Sequence, residues 1–240
     1  MFFNKKTPTI EYWSNSDNSD ALNDIVPLIP ASDAAPQWYK DMPTFNEGSI
    51  TCGWVTGKGT AKACPGIRDF IKTGFIIPSW CDFYFKVTKE GVTYKTPDAA
   101  FQAGLHNADQ FTDHIPKSYL NDVGCVMKLQ SPWKIKVSKG YNLMYLPAYF
   151  NNLSNNIDII PGIRKSNYYF KSNIFLFFKG EGDFFIKRNT PLALIIPIKE
   201  EECNLKYIKQ GSKELLKLQK EDKHTGTLIS TKFTQGYNSK

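Results

Sequence analysis

From Ser49 to Ile198 the chain is written in short apolar or alternating runs, each bounded by Gly, Pro, Asn or Asp. The clearest is Trp133 to Val137. There Trp133, Ile135 and Val137 alternate strictly with Lys134 and Lys136, which predicts a strand with one buried and one wet face. The runs "ITCGWVT", "FIIPSW", "CDFYFKV", "VTYKT", "GCVMKLQ", "YNLMYL", "IDIIPGI", "GDFFIK" and "PLALIIPI" read as further strands. "NIFLFF" is apolar on both faces, so it is expected as a central, buried strand. "TKEG" predicts a hairpin between "CDFYFKV" and "VTYKT", and Ser138 to Gly140 a second hairpin turn. Many short strands with such punctuation predict a sandwich or barrel.

Helical signals are few. "CPGIRDFIKTG" fits a short helix that starts at Pro65 and ends by Gly74. "TPDAAFQAGLHNADQFTDHIP" predicts a helix near 97–112, with Thr96 as N-cap, Pro97 at the first helical position, and Pro116 as the far limit. Gly104 weakens its middle. "SKELLKLQKEDKH" is helical with Ser212 as cap and Leu215, Leu216 and Leu218 as a narrow stripe. Before the β region, Thr9 to Trp13 fits one strand and "SNSDNSD" is turn chemistry. "IVPLIPASDAAPQWYKDMP" carries four prolines and reads as extended chain anchored by Trp38 and Tyr39. The expected organisation is an N-terminal arm (1–48), a β domain (49–202), and a helical and polar tail (203–240).

Composition narrows the picture. Apolar residues make up 41% and aromatic residues 14%, which is enough for a packed core and argues against global disorder. The net charge of +7 comes from scattered lysines, and the interval from Lys206 to Lys223 is broken by Glu214, Glu221 and Asp222. That favours a generic basic surface over a nucleic-acid groove, which stays the weaker reading. The five cysteines, Cys52, Cys64, Cys81, Cys125 and Cys203, form no C-x-x-C pair, so neither a zinc ribbon nor a thioredoxin-type motif is expected. The N-terminus shows no apolar core before its first charges, so no secretory signal is expected, and no apolar run approaches a membrane span.

The candidate chemistry centres on "LHNADQFTDH". On a helix, His106, Gln110, Asp113 and His114 share roughly one face. Histidine and carboxylate suit iron, zinc or manganese, but one helix supplies only part of a coordination sphere and the H-x-D spacing of iron oxygenases is absent. Hydrogen-bonded polar residues at a helix end are the preferred reading, and neither a metal nor a cofactor is expected. Asp82 interrupts an apolar strand: it either points inward and needs a partner such as Arg68, or starts the strand on its wet face, which is preferred. Cys64 lies near Lys62 and Arg68, which can lower a thiol pKa, yet a structural cysteine before a turn is the simpler reading. No G-x-S-x-G, P-loop or dinucleotide pattern occurs. The aromatics, among them Trp54, Trp80, Trp133, Tyr141 and Tyr145, are mostly core, or stack a sugar or base where they line a concave sheet.

The segments "PQWYKDMP", "KACPGIRDFIKTGFIIPSWCDF", "LHNADQ", "KLQSPWKIKVSKGYNLMYLP" and "IPGIRKSNYYFKSNIFLFFKGEGDFFIKRNTPLALIIPIKEE" together resemble a family of phage and bacterial proteins to which no activity is assigned. Its pattern runs C-P-x-x-x-D, I-P-x-W-x-D, H-x-x-x-Q, S-P-W-x-I and K-x-T-P-[IL]-A, and the resemblance covers about residues 36–202. It places Cys64, Asp69, Trp80, Asp82, His106, Gln110, Trp133 and Tyr141 on motif positions. The usage of Lys, Asn, Ile and Phe also looks like that of an AT-rich viral genome. More distantly, the last strands are similar to the β-clip of trimeric dUTPases. Arg164 stands where that family has its acidic residue, and Ala193 is followed by Leu194 rather than glutamine, so the resemblance implies strand topology and not activity.

The expected fold is therefore mainly β: a jelly-roll or β-clip-like barrel or sandwich with one short internal helix and a C-terminal helical appendage. The expected function is a non-catalytic phage-type protein acting by binding or assembly in the host cytoplasm or virion, with a protein partner or self-association. The alternative is a metal-dependent or nucleotide-directed enzyme around His106, Gln110 and Asp82. The candidate binding set is His106, Gln110, Asp82, Trp80, Trp133, Tyr141 and Arg68.

Overall fold

The computed structural model describes residues 7–46, 59–97, 103–120, 122–151, 153, 155–165 and 169–222. The chain forms two compact units, Met1–Glu200 and Glu201–Lys240. The first is mainly β. Its strands are β1 (Ile10–Trp13), β2 (Ile29–Pro30), β3 (Phe75–Pro78), β4 (Phe83–Thr88), β5 (Gly91–Lys95), β6 (Ala103–His106), β7 (Asp122–Val137), β8 (Tyr141–Pro147), β9 (Ile157–Ile159), β10 (Gly162–Arg164), β11 (Lys171–Gly180), β12 (Gly182–Ile186) and β13 (Pro191–Lys199). Three short helices, α1 (Ser19–Ile25), α2 (Gln37–Asp41) and α3 (Pro65–Ile71), accompany them. The candidate strand "ITCGWVT" lies largely outside the described residues.

Two five-stranded sheets and one three-stranded sheet result, all pairings antiparallel. In the first sheet β7 is flanked on one edge by β11, which also pairs with β9, while β1 and β6 share its other edge. The second has the order β10-β8-β13-β3-β2, and the third β12-β4-β5. The sheets stay open among the described residues, so layers rather than a closed barrel bury the core. The jelly-roll form is not supported, because sheets of five, five and three strands are not a pair of four-stranded Greek keys. The main core joins Ile135, Leu176 and Phe178 of the first sheet, Ile77, Leu143 and Ile195 of the second, and Phe83 and Phe85 of the third.

Several expectations are met for the reasons given. β4 and β5 form the hairpin, with Phe83, Phe85 and Val87 inward and Tyr84 and Lys86 outward. β11 is central and its apolar run is largely buried. α3 starts at Pro65, and Gly74 just past its end takes φ +83°.

Others are corrected. No helix occupies the described part of 97–112: residues 103–106 form β6 on the edge of β7, followed by short 3-10 turns at Ala108–Gln110, Thr112–His114 and Lys117–Tyr119. Phe111 at φ −150° breaks any continuous helix there. The runs "GCVMKLQ" and "PWKIKV" belong to one 16-residue strand, with Pro132, which lacks an N–H, in the stretch where the β7–β11 register shifts. Ser138 to Gly140 is a turn but not a hairpin: β7 pairs with β1 while β8 pairs with β10 and β13, so the turn carries the chain from one sheet to the next. "IDIIPGI" likewise divides at Ile160 and Pro161, with β9 in the first sheet and β10 in the second. Residues 7–46, expected as turn and extended chain after one strand, contain α1 and α2.

Across the sheets, the buried hydroxyls of Tyr145 and Ser172 hydrogen-bond to each other. Tyr145→Phe removes one partner and leaves a buried Ser172 oxygen unsatisfied. Urea unfolding is expected to show a loss of about 1–2 kcal/mol, mostly recovered when Ser172→Ala is added.

The second unit contains a helix from residue 213, described to 222. Ser212 caps it: its Oγ accepts from the Leu215 N–H at 3.1 Å. Lys206 bridges Glu214 at 2.8 Å within the same unit.

Candidate functional site

Where β9 crosses to β10, the two large sheets part and leave a cavity of about 720 Å³. Its floor is the outer side of β11, where Lys171, Asn173 and Phe175 share one face and Ile174 and Leu176 point into the core behind them. The end of β6 with the turn after it and the segment from Ile160 to Lys165 also line it. The volume falls in the usual range for small-molecule sites.

His106 ends β6 at this wall. Its ring lies 5.4 Å from that of Phe175, and its Nδ1 is 3.2 Å from Gln110 Oε1. The same Gln110 oxygen accepts from the Asn107 N–H at 3.2 Å. It is therefore the acceptor in both bonds, and His106 Nδ1 is the donor. His106 Nε2 is buried and has no hydrogen-bond partner among the described residues.

Arg164 on β10 also lines the cavity. The side chain is buried, with 9% exposure. One guanidinium nitrogen donates to the Ile135 carbonyl at 2.7 Å and another to the Tyr169 carbonyl, while Nε has no partner among the described residues. Both partners of this charge are neutral carbonyls. Lys165 and Lys171 add positive charge, and no Asp or Glu among the described residues lines the cavity. Lys165 lies 3.8 Å from Glu200, whereas Lys171 is in no recorded ion pair among the described residues. Phe111, Ile163, Phe175 and Tyr169 supply apolar surface.

The remaining candidates lie elsewhere. Asp82, half-buried at the start of β4, accepts the Arg188 backbone N–H at 2.7 Å. Trp80 is buried edge-on against Phe83, 5.5 Å between ring centres. Trp133 is buried, and its indole N–H donates to the Val26 carbonyl at 3.2 Å. Tyr141, half-buried at the start of β8, packs against the core. Arg68 on α3 is exposed and sits 3.4 Å from Asp69. Within Leu105 to His114, the His114 ring bonds the Asp109 carbonyl at 2.8 Å, and Asp109 and Asp113 are exposed. Thus His106 and Gln110 meet at the cavity, and the other five residues of the set do not line it. Among the described residues no group of three or more His, Cys, Asp or Glu is placed to hold a metal ion, and no helix is long and apolar enough to cross a membrane.

Sequence reasoning missed Arg164, Lys171 and Phe175. One signal was available: only Arg68, Arg164 and Arg188 are arginines in a chain with 30 Lys and Arg. An arginine cannot shed its charge on burial, so one inside a short Gly-Ile-Arg strand marks an unusual position.

Cys125 on β7 is a thiol held in its neutral form by burial. Burial pushes it up to about 11 from the usual 9.0. Iodoacetamide at pH 8 is expected to label exposed Cys64 and Cys203 well before Cys125, read by peptide mass spectrometry. Because the folded value is the higher one, its contribution to stability is intact below about pH 9 and declines as pH rises towards about 11.

Fold and cavity together define a mainly β protein with a cationic, aromatic-lined pocket. No family model matches the chain, and no curated protein matches it. Solved structures similar to it are phage dUTPases. The dUTPase of Staphylococcus bacteriophage 80alpha is 9% identical with a TM-score of 0.38, covering 85% of this chain and 98% of that one. The dUTPase from phage phi11 of S. aureus is 9% identical with a TM-score of 0.33, covering 71% and 96%. Scores of this size leave the chain paths mostly different, so neither an activity nor a ligand passes from those proteins to this one.

Proposed function

We propose that this chain is a non-catalytic binding protein of phage type, a virion or accessory component, and that it acts by holding a small molecule in the cavity between β6, β11 and β10. The observation that carries this reading is a cavity of about 720 Å³, in the usual range for small-molecule sites, lined by the hydrogen-bonded pair His106 and Gln110 together with Arg164, Lys171 and Phe175. The resemblance of residues 36–202 to phage and bacterial sequences supports the host cytoplasm or virion as its place. The exposed aromatic group of Trp38, Tyr149 and Phe150 supports self-association.

The test is a thermal-shift screen of nucleotides and small aromatic compounds, with the recovered ligand analysed by chromatography. Gly162 lies on the same side of β10 as Arg164, and a side chain there meets nothing within 4 Å. Gly162→Phe therefore serves as a blocking variant. The expected result is a saturable rise in melting temperature for the native chain, lost in Gly162→Phe, with the ligand recovered unchanged. Recovery of a converted ligand, or a metal-dependent rise, favours the enzyme reading around His106 and Gln110 instead.

A further inference from the structure

We infer that the outer face of the sheet β12-β4-β5 is a platform for single-stranded nucleic acid, with bases stacking on Tyr84 and Phe185 and phosphates drawn to Lys86 and Lys95. None of these four residues lines the cavity, so the inference goes beyond the ligand reading and does not depend on it.

The sheet meets the core from one side. Phe83, Phe85, Val87 and Ile186 point inward and are buried. Alternation then sends Tyr84 and Phe185 outward. They stand opposite each other in the β4–β12 register, and their rings stack with centres 4.4 Å apart and planes at 27°. Tyr84 is 54% exposed and Phe185 50%, so each ring covers only part of the other. β12 is an edge strand, and no further strand stands beyond Phe185 among the described residues. Two rings held side by side in water form a surface on which a base stacks. Stacking needs a base face that a duplex keeps covered, which selects a single strand.

The charges around the rings favour a polyanion. Lys95 lies opposite Tyr84 on β5, and Lys86 lies two residues along β4 on the same face. In a sheet, such positions place Cβ atoms about 5–7 Å apart. Both lysines are exposed, and neither is in an ion pair among the described residues. Asp183 lies opposite Lys86 and is in no ion pair there either. Lys187 and Arg188, exposed directly after β12, add positive charge beyond Phe185. These cations form no basic run in the sequence, and strand pairing alone gathers them. Rings by themselves suit a sugar or an apolar peptide. Rings bordered by lysines suit a chain whose every unit carries a flat base and a negative phosphate.

Fluorescence anisotropy of the full chain with a labelled oligothymidylate of about 12 nucleotides, at about 50 mM salt, tests this. The expected result is saturable binding. An abasic oligomer of the same length and a duplex of the same length are expected to bind at least about fivefold more weakly. Phe185→Leu keeps an apolar side chain but loses the ring, and is expected to weaken binding at least about fivefold with the melting temperature nearly unchanged. Lys86→Glu combined with Lys95→Glu is expected to cost roughly tenfold or more. Lys213→Glu combined with Lys220→Glu makes the same change in net charge on the second unit, and is expected to cost less than about threefold. Asp183→Lys is expected to tighten binding at least about threefold, a gain that a damaged fold does not produce. No binding by the native chain, an abasic oligomer that binds equally well, an unaffected Phe185→Leu, or equal losses in the two double variants overturns the inference.

Discussion

Leu176→Ala is expected to lower the unfolding free energy of the β unit by about 2–5 kcal/mol. Leu176 is fully buried at the centre of β11, opposite Met127 on β7 and Ile159 on β9. It belongs to the core that ties the sheets together, with Ile135, Leu143 and Phe178 in the same cluster. Truncation removes apolar contacts and leaves a void, and strands paired on both sides collapse poorly into such a void. In urea titrations the midpoint is expected to fall with the slope unchanged. A loss below about 1 kcal/mol would mean that β11 is not the centre of the core.

Gly74→Ala is expected to cost at least about 2–3 kcal/mol, although it adds only one methyl group. Gly74 joins α3 to β3 at φ +83°, a conformation that disfavours a side chain. An added Cβ would also lie 2.3 Å from the Ile195 carbonyl oxygen. That oxygen belongs to β13, where Ile195 is in register with Phe75, so it cannot retreat without disturbing the β3–β13 ladder. Gly140 is the control. It has φ +82° but nothing within 4 Å of an added Cβ, so Gly140→Ala carries the conformational cost alone, about 1–2 kcal/mol. Equal losses in the two variants would contradict the close approach at Gly74.

Local signals fixed the faces of strands well and their partners poorly. The alternation from Trp133 to Val137 identifies which side is buried, because side chains of a strand alternate whatever the neighbour. It is silent on whether the next strand folds back beside it. β8 does not, and pairs instead with β13, some fifty positions further along. The stretch from Leu105 to His114 shows a related ambiguity. His106 and Gln110 are brought together by a turn as readily as by a helix, so their pairing was legible while the element that makes it was not. Pairing of residues 103–106 with β7 is a long-range choice. Arg164 lies beyond local reading for the same reason: it becomes part of a site only because Pro161 sends the chain across to the second sheet. Asp82 interrupts its apolar run to accept the Arg188 N–H, and Trp80 is held in the core.

The most direct measurement is a crystal structure of the full chain grown with the compound that raises its melting temperature most. The account predicts that compound in the cavity between β6, β11 and β10, in contact with Phe175. The compound bound elsewhere, or crystals in which the cavity is closed, would contradict it.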